Sequence, residues 1–304
     1  MNVLVIGGNG FIGSHLIDHL LAKGHNVRVF DISYERYRKP LSNVDYRIST
    51  LENIPDLYEA LLGIDIIFHL ASASVPSTSN IDPITDINKN LISTLNILNL
   101  SAKLGINRII YFSSGGAVYG NPLTKLIRED HPLSPISSYG IVKASVEMYL
   151  SLYQRLYGFK PLILRPSNPY GPRQGHFIAQ GVISTFLRKV QNNESLTVFG
   201  DGNSTKDYIY IKDLIDLSYE LSFNNEVGIF NLGSGIGTSI NQIIAEIKTV
   251  TNNEVHVNNS EKQIYDVDHF VLDISKTNKL IETRQLTTLK TGISKTWEWL
   301  NSIE

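Results

Sequence analysis

The stretch Val3-Leu4-Val5-Ile6-Gly7-Gly8-Asn9-Gly10-Phe11-Ile12-Gly13 decides how this chain is read. Four consecutive apolar residues mark a strand covered on both faces, as in a parallel sheet. The glycines then read as G-x-x-G-x-x-G from Gly7 or G-x-G-x-x-G from Gly8. Phe11 to Lys23 continues as a helix, with Phe11, Ile12, Leu16, Leu20 and Leu21 on one side and Gly24 closing it. Val27-Arg28-Val29-Phe30-Asp31 opens the next strand. Strand, glycine loop and helix in this order make a dinucleotide cradle. One glycine permits the tight turn, one lets the backbone approach a pyrophosphate, and one lets the helix pack closely. The helix N-terminus offers N–H groups and positive dipole to the phosphates. Asp31 ends the second strand, 18 residues past Gly13. A carboxylate there accepts from a ribose 2′-hydroxyl and repels a 2′-phosphate, which favours NAD over NADP.

Outward from this motif, the same rhythm continues. Ile64 to Leu70 reads as a strand, Ile84 to Leu104 as a long helix, Arg108 to Phe112 as a strand, Tyr139 to Tyr157 as a second long helix, and Pro161 to Leu164 as a strand. Alternation of this kind predicts an α/β fold of the Rossmann type, a doubly wound parallel sheet with right-handed crossovers. After Arg165 the rhythm breaks, and Pro166, Pro169, Gly171, Pro172, Gly175 and Gly181 crowd together. Helices over 182–191 and 240–250 follow among short strands, with 252–259 read as a surface connection. The expected division is a dinucleotide domain over 1–166, rejoined by about 207–235, and a smaller C-terminal α/β substrate domain over 167–206 and 236–304. Trp297 and Trp299 are expected to anchor the last helix.

Composition narrows the function. Among 304 residues, 29 acidic against 27 Lys and Arg give a net charge of −2, without the basic excess of a nucleic-acid surface. There is no cysteine, which excludes disulfides, thiolate metal sites and a cysteine nucleophile; no metal is expected. No apolar run reaches the 18 residues of a membrane span. Met1 to Ile6 carries no basic leader region, so a cytoplasmic location is the expectation.

Tyr-x-x-x-Lys occurs twice, as Tyr139/Lys143 and Tyr208/Lys212. Tyr139 opens a helical pattern, where four residues rise only about 6 Å and share a face. Tyr208 to Lys212 alternates like a strand, so its pair lies roughly 13 Å apart. Only the first pair can act together. An ammonium beside a phenol favours the phenolate and makes the tyrosine a base near neutrality. Ser113 and Ser114 end the strand 108–112, at the carboxyl edge where such sheets place ligands.

Glycine loop, post-strand serines and helical Tyr-x-x-x-Lys, in that order, resemble the extended short-chain dehydrogenase/reductase superfamily. Within it the chain resembles the NAD-dependent nucleotide-sugar epimerase/dehydratase family nearly end to end. The further motifs are His69-Leu70-Ala71, Asn90 opening a stretch similar to N-V-x-G-T, Ser113 to Gly120, Arg165 to Gln174, Phe199-Gly200-Asp201-Gly202, Lys206 to Leu214, and Asn231 to Gly235. The resemblance implies NAD held by Gly7, Gly10, Phe11, Ile12, Gly13, Asp31, Ile32, Leu70, Ala71, Asn90, Ser113, Tyr139, Lys143 and Pro166. It implies Tyr139 as the base that takes a sugar 4-hydroxyl proton, and Lys143 as the partner that holds the nicotinamide ribose. It also implies substrate contacts from Asn168, Phe199 and Lys206, and a homodimer formed through the helices 84–104 and 139–157.

Departures from the family pattern narrow the reaction. Dehydratases and decarboxylases of the family carry acidic residues before V-Y-G, whereas this chain has Gly115-Gly116-Ala117. No general acid occupies that slot, which disfavours both reactions. The family's proton-relaying Ser/Thr position falls on Gly115, and Ser114 is the substitute. Lys206 stands where the family has an arginine, keeping the charge but losing the bidentate fork. Ser74, Thr50 and Gln263 replace other family residues, which leaves UDP, dTDP, CDP and GDP open as the nucleotide. The resulting expectation is a 4-epimerase of a UDP-hexose or its N-acetyl derivative. The alternatives are a 4-ketoreductase consuming NAD(P)H and a non-catalytic dinucleotide sensor on the same fold.

Overall fold

A computed structural model of the protein describes residues 1–74, 79–175, 181–261, 267–281 and 285–303. The chain divides into two compact units. The first comprises Met1–Asn121, His131–Arg165 and Ser218–Phe230, the second Pro122–Asp130, Pro166–Leu217 and Asn231–Glu304. The segment returning to the first unit is thus narrower than 207–235. Pro122–Asp130 leaves the first unit for the second, where the backbone of Ile127 bonds to Val271 and Asp273 like a strand.

The first unit is built on β1 (Asn2–Ile6), β2 (Asn26–Asp31), β3 (Val44–Ile48), β4 (Ile66–His69), β5 (Arg108–Phe112) and β6 (Lys160–Pro166). Together with the later strand β10 (Gly228–Leu232) they form a seven-stranded parallel sheet. From β1 the order runs to β2 and β3 on one side, and to β4, β5 and β6 on the other. Val3 to Ile6 are completely buried, as a four-residue apolar run at the sheet centre requires. Three helices pack beside these strands: α1 (Phe11–Ala22), α2 (Ile54–Leu61) and a long helical run, α3. The run α3 comprises Pro83–Asp86, a π-helical stretch Ile87–Ile92 and Ser93–Leu104, where periodicity alone predicted one regular helix. A short helix α4 (Gly115–Val118) follows β5, and α5 (Ser138–Tyr157) precedes β6. The core joins Leu4, Ile6, Ile67, Ile97, Ile109, Val146 and Leu150 from strands and helices alike.

In the second unit β7 (Asn168–Tyr170), β9 (Thr205–Tyr210), β11 (Gly237–Ser239) and β13 (His269–Phe270) form a sheet around β9. Here the expected strand 208–212 is corrected. It stops at Tyr210, and Lys212 lies in the first turn of α7 (Ile211–Phe223), bonded to Asp216 at 2.6 Å. An acid in that turn, Asp213, suits a helix start. The 252–259 connection is also corrected: β12 (Val257–Ser260) pairs in parallel with β8 (Leu196–Phe199). All four β12 residues are exposed, so the strand carries no apolar alternation to announce it. Helices α6 (Val182–Gln191), α8 (Ile240–Thr251), α9 (Ser275–Leu280) and α10 (Leu289–Ser302) complete the unit. Ile293 and Leu300, rather than Trp297 and Trp299, supply the buried apolar face of α10. No described helix is long and apolar enough to cross a membrane.

Candidate active site

The glycine loop lies where the strand order reverses, after β1 and beside the end of β4. Gly7 adopts φ +79°, and a Cβ on it would lie 2.6 Å from the Ala71 nitrogen. A Cβ on Gly13 would lie 2.5 Å from the Gly7 carbonyl oxygen and 2.6 Å from Gly8 Cα. Any side chain at either position therefore separates the loop from its neighbours. Gly10 is the N-cap of α1, with extended backbone and no side chain capping the helix, so no side chain competes with a phosphate for the first amides of the helix. Asp31 closes the far side: its Oδ2 accepts from the Asn9 amide at 2.9 Å and its Oδ1 from the Ile32 amide at 2.7 Å. Burial pushes the Asp31 carboxyl up, and these backbone donors oppose the shift. The Ile32 side chain itself is 74% exposed. A bare helix N-terminus, glycines that admit close approach, and a carboxylate held at the loop fit a dinucleotide with a free ribose 2′-hydroxyl.

At the carboxyl ends of β4 and β5 a small cavity is lined by His69, Ala71, Ser72, Asn90, Thr94, Tyr111, Tyr139, Val142 and Lys143. The first turn of α5 delivers Tyr139. Ser137 caps the helix by accepting from the Gly140 amide, Ser138 N–H donates to Asn80 Oδ1 at 2.8 Å, and Tyr139 N–H donates to Ser79 Oγ at 3.1 Å. One turn later, Lys143 Nζ donates to the Phe112 carbonyl at 2.8 Å, 5.6 Å from the Tyr139 ring centroid and 4.8 Å from that of Tyr111. The Tyr139 hydroxyl is hydrogen-bonded to Ser114. The expected acidification of the phenol is corrected. Burial pushes Tyr139 up to about 12, the Ser114 hydrogen bond opposes this, and the Asp86 carboxylate adds to it. Burial also lowers Lys143 to about 8, against the pull of Glu147 and Asp86. The desolvation of both groups outweighs what spacing alone predicted.

Residues 3–233 match the NAD dependent epimerase/dehydratase family. The chain belongs to this family. It is an enzyme, and NAD is its cofactor. It is 30% identical over 310 residues to the UDP-glucose 4-epimerase of Mycolicibacterium smegmatis, covering 99% of each chain. It is 33% identical over 304 residues to a dTDP-4-dehydro-6-deoxyglucose reductase of Escherichia coli, covering 96% and 95% of the two. Among solved structures, the UDP-glucose 4-epimerase of Thermotoga maritima with UDP-glucose superposes with a TM-score of 0.93 at 32% identity, over 100% of this chain and 99% of that one.

In this family member the structure gathers Gly7, Gly10, Phe11, Ile12, Gly13, Asp31, Ile32, Leu70, Ala71, Asn90, Ser113, Ser114, Tyr139 and Lys143 in the first unit. Pro166, Asn168, Phe199 and Lys206 belong to the second. Asn168 donates to the Asp207 carbonyl at 2.8 Å, Phe199 ends β8 at 45% exposure, and Lys206 is half-buried on β9. Gln263 lies outside the described residues. Sequence reasoning missed a buried network behind the pair. Ser113 Oγ donates to Glu147 Oε1 at 2.5 Å, and Arg165 donates to the same carboxylate from Nε at 3.0 Å and to the Tyr119 hydroxyl from Nη1 at 2.8 Å. The signal was present, since Glu147 follows Lys143 by one more helical turn. It named His69 only as part of a motif, with no place in the site, where its Nε2 lies 2.8 Å from Thr94 Oγ1, and it missed the buried Asp86.

Proposed function

We propose that this enzyme is a nucleotide-sugar 4-epimerase acting on a UDP-hexose or UDP-N-acetylhexosamine through a transient 4-keto sugar. The observation that carries the reading is the half-buried Tyr139–Ser114 hydrogen bond beside Lys143, next to a short helix α4 whose Gly115, Gly116 and Ala117 bring no acid. The names of the M. smegmatis and T. maritima relatives support it. The chemistry that bound NAD would supply is reversible hydride exchange with the sugar C4. Tyr139 takes the proton of the sugar 4-hydroxyl and later gives it back, with Ser114 relaying it. Lys143 would hold the nicotinamide ribose. Gly7, Gly10, Phe11, Ile12, Gly13, Asp31, Ile32, Leu70, Ala71, Asn90, Ser113 and Pro166 are the residues proposed to hold NAD. Asn168, Phe199 and Lys206 of the second unit hold the nucleotide sugar.

The E. coli relative keeps one rival in play, a 4-ketoreductase. A panel of nucleotide sugars and their 4-keto derivatives, with product stereochemistry read by NMR in parallel reactions without and with added NAD(P)H, separates the two. Interconversion of C4 epimers supports the epimerase, and stoichiometric consumption of NAD(P)H overturns it. A homodimer through α3 and α5 is part of the same proposal. Ile84, Ile87 and Ile92 on α3 and Ile141, Met148, Tyr149, Leu152 and Leu156 on α5 are exposed apolar residues. Leu152→Arg is expected to reduce the sedimenting particle from twice the 34.0 kDa chain mass to one chain; a monomeric parent protein sinks the idea.

A further inference from the structure

Asp86 is a buried carboxylate that the proposed reaction does not use. It is 3% exposed and ends the first segment of α3, where the π-helical stretch begins. Three neutral donors meet it. Ser74 Oγ and Asn90 Nδ2 donate to Oδ1 at 2.5 and 2.7 Å, and Ser138 Oγ donates to Oδ2 at 2.6 Å. Each donor leads to a different part of the site. Ser138 opens α5 immediately before Tyr139. Asn90 lines the cavity with Tyr139 and Lys143, and its Oδ1 accepts from the Ala73 amide at 2.8 Å. Ser74 lies on the loop that follows β4. The π-helical stretch Ile87–Ile92 carries Asn90 itself, and such stretches recur at functional sites because they re-aim side chains out of regular register.

We infer that Asp86 is a positioning residue of the active site. Through Ser138 it fixes the entry of the helix that carries Tyr139, and through Asn90 and Ser74 it fixes the cavity wall facing the same phenol. This rests on the reading of Tyr139 as the base. Charge and position act in opposite senses here. The clamp orients the phenol, while the negative charge favours its protonated form; Ser114, Lys143 and Tyr111 are the other polar or titratable groups beside it.

Two substitutions separate these effects. Asp86→Asn retains an acceptor for Ser74 and Asn90, and the Ser138 hydroxyl can turn to accept from the new amide, so the clamp persists without its charge. Asp86→Ala removes both. With UDP-galactose as the sugar probe, Asp86→Ala is expected to lower kcat about tenfold or more, since small misplacements of reacting groups are costly, while the KM for sugar stays within about threefold. Asp86→Asn is expected to recover most of kcat and to move the acid limb of kcat/KM to lower pH. With NAD alone, calorimetric titration is expected to show weakened binding in Asp86→Ala and near-parental binding in Asp86→Asn, whether or not that sugar is turned over. A folded Asp86→Ala protein with parental kcat and NAD affinity overturns the inference, as does an Asp86→Asn protein no better than Asp86→Ala. Should Asp86→Ala fail to fold, Ser138→Ala decides: lowered kcat supports the clamp, and parental kcat overturns it. Tyr139→Phe keeps the two claims apart. If it is inactive while Asp86→Ala is unimpaired, only the positioning role falls; if it is fully active, the Tyr139 reading itself falls.

Discussion

Ser114, not residue 115, brings a hydroxyl to Tyr139. Glycine at 115 leaves no side chain to do so, and α4 begins there with Ser114 as its extended N-cap. Ser114→Ala is expected to lower kcat by about tenfold or more, within the range of a lost proton-transfer partner. The sign of its pH effect is fixed by the hydrogen bond, which lowers the Tyr139 pKa. Without it the phenol holds its proton more tightly, and the acid limb of the pH–rate profile moves to higher pH. A turnover number within a few-fold of the parent and an unmoved limb would refute the relay. At this scale the Tyr139/Lys143 pair was legible from its helical spacing. The proton affinity of the phenol was not, because burial and Asp86 reach it from segments distant in sequence.

The helix α5 shows what an element adds to its residues. Tyr139, Lys143 and Glu147 follow one another by single turns, so one face carries base, cation and carboxylate. Glu147 is balanced by Arg165 on β6, with side-chain exposures of 4% and 2%. Glu147→Ala leaves the guanidinium buried without its carboxylate. It is expected to cost about 3–5 kcal/mol of stability, the usual penalty for breaking a buried pair, read by urea unfolding. A loss under about 1 kcal/mol counts against the network as a structural tie between α5 and β6. The existence of α5 and of its neighbours in the first unit was readable from apolar periodicity. The π-helical stretch in α3 and the exposed strand β12 were not. Neither changes the apolar pattern, and both depend on partners that pair only after folding.

Across the whole molecule, acid sensitivity should report a buried imidazole. Burial, reinforced by the charge of Lys143, lowers His69 from its ordinary 6.5 to about 3. As pH falls from about 6.5 toward 3, the unfolded chain takes up this proton before the folded one does. The stability present above pH 6.5 is therefore lost in that window, at up to about 1.4 kcal/mol per pH unit. Urea unfolding at pH 7 and pH 5 is expected to show a smaller difference in His69→Gln than in the parent. Equal differences mean that the folded imidazole takes its proton as readily as the unfolded one.

The linear order of residues already determined a parallel α/β sheet, a dinucleotide loop and a tyrosine–lysine pair. Each rests on local periodicity and spacing, which act within a turn or a strand. Tertiary structure alone decided that Ser114 meets Tyr139, that Asp86 meets Ser138, how Glu147 finds Arg165, and that Pro122–Asp130 joins the second unit. Those outcomes depend on desolvation and on hydrogen bonds between residues far apart in the chain, quantities that have no value until the core has closed.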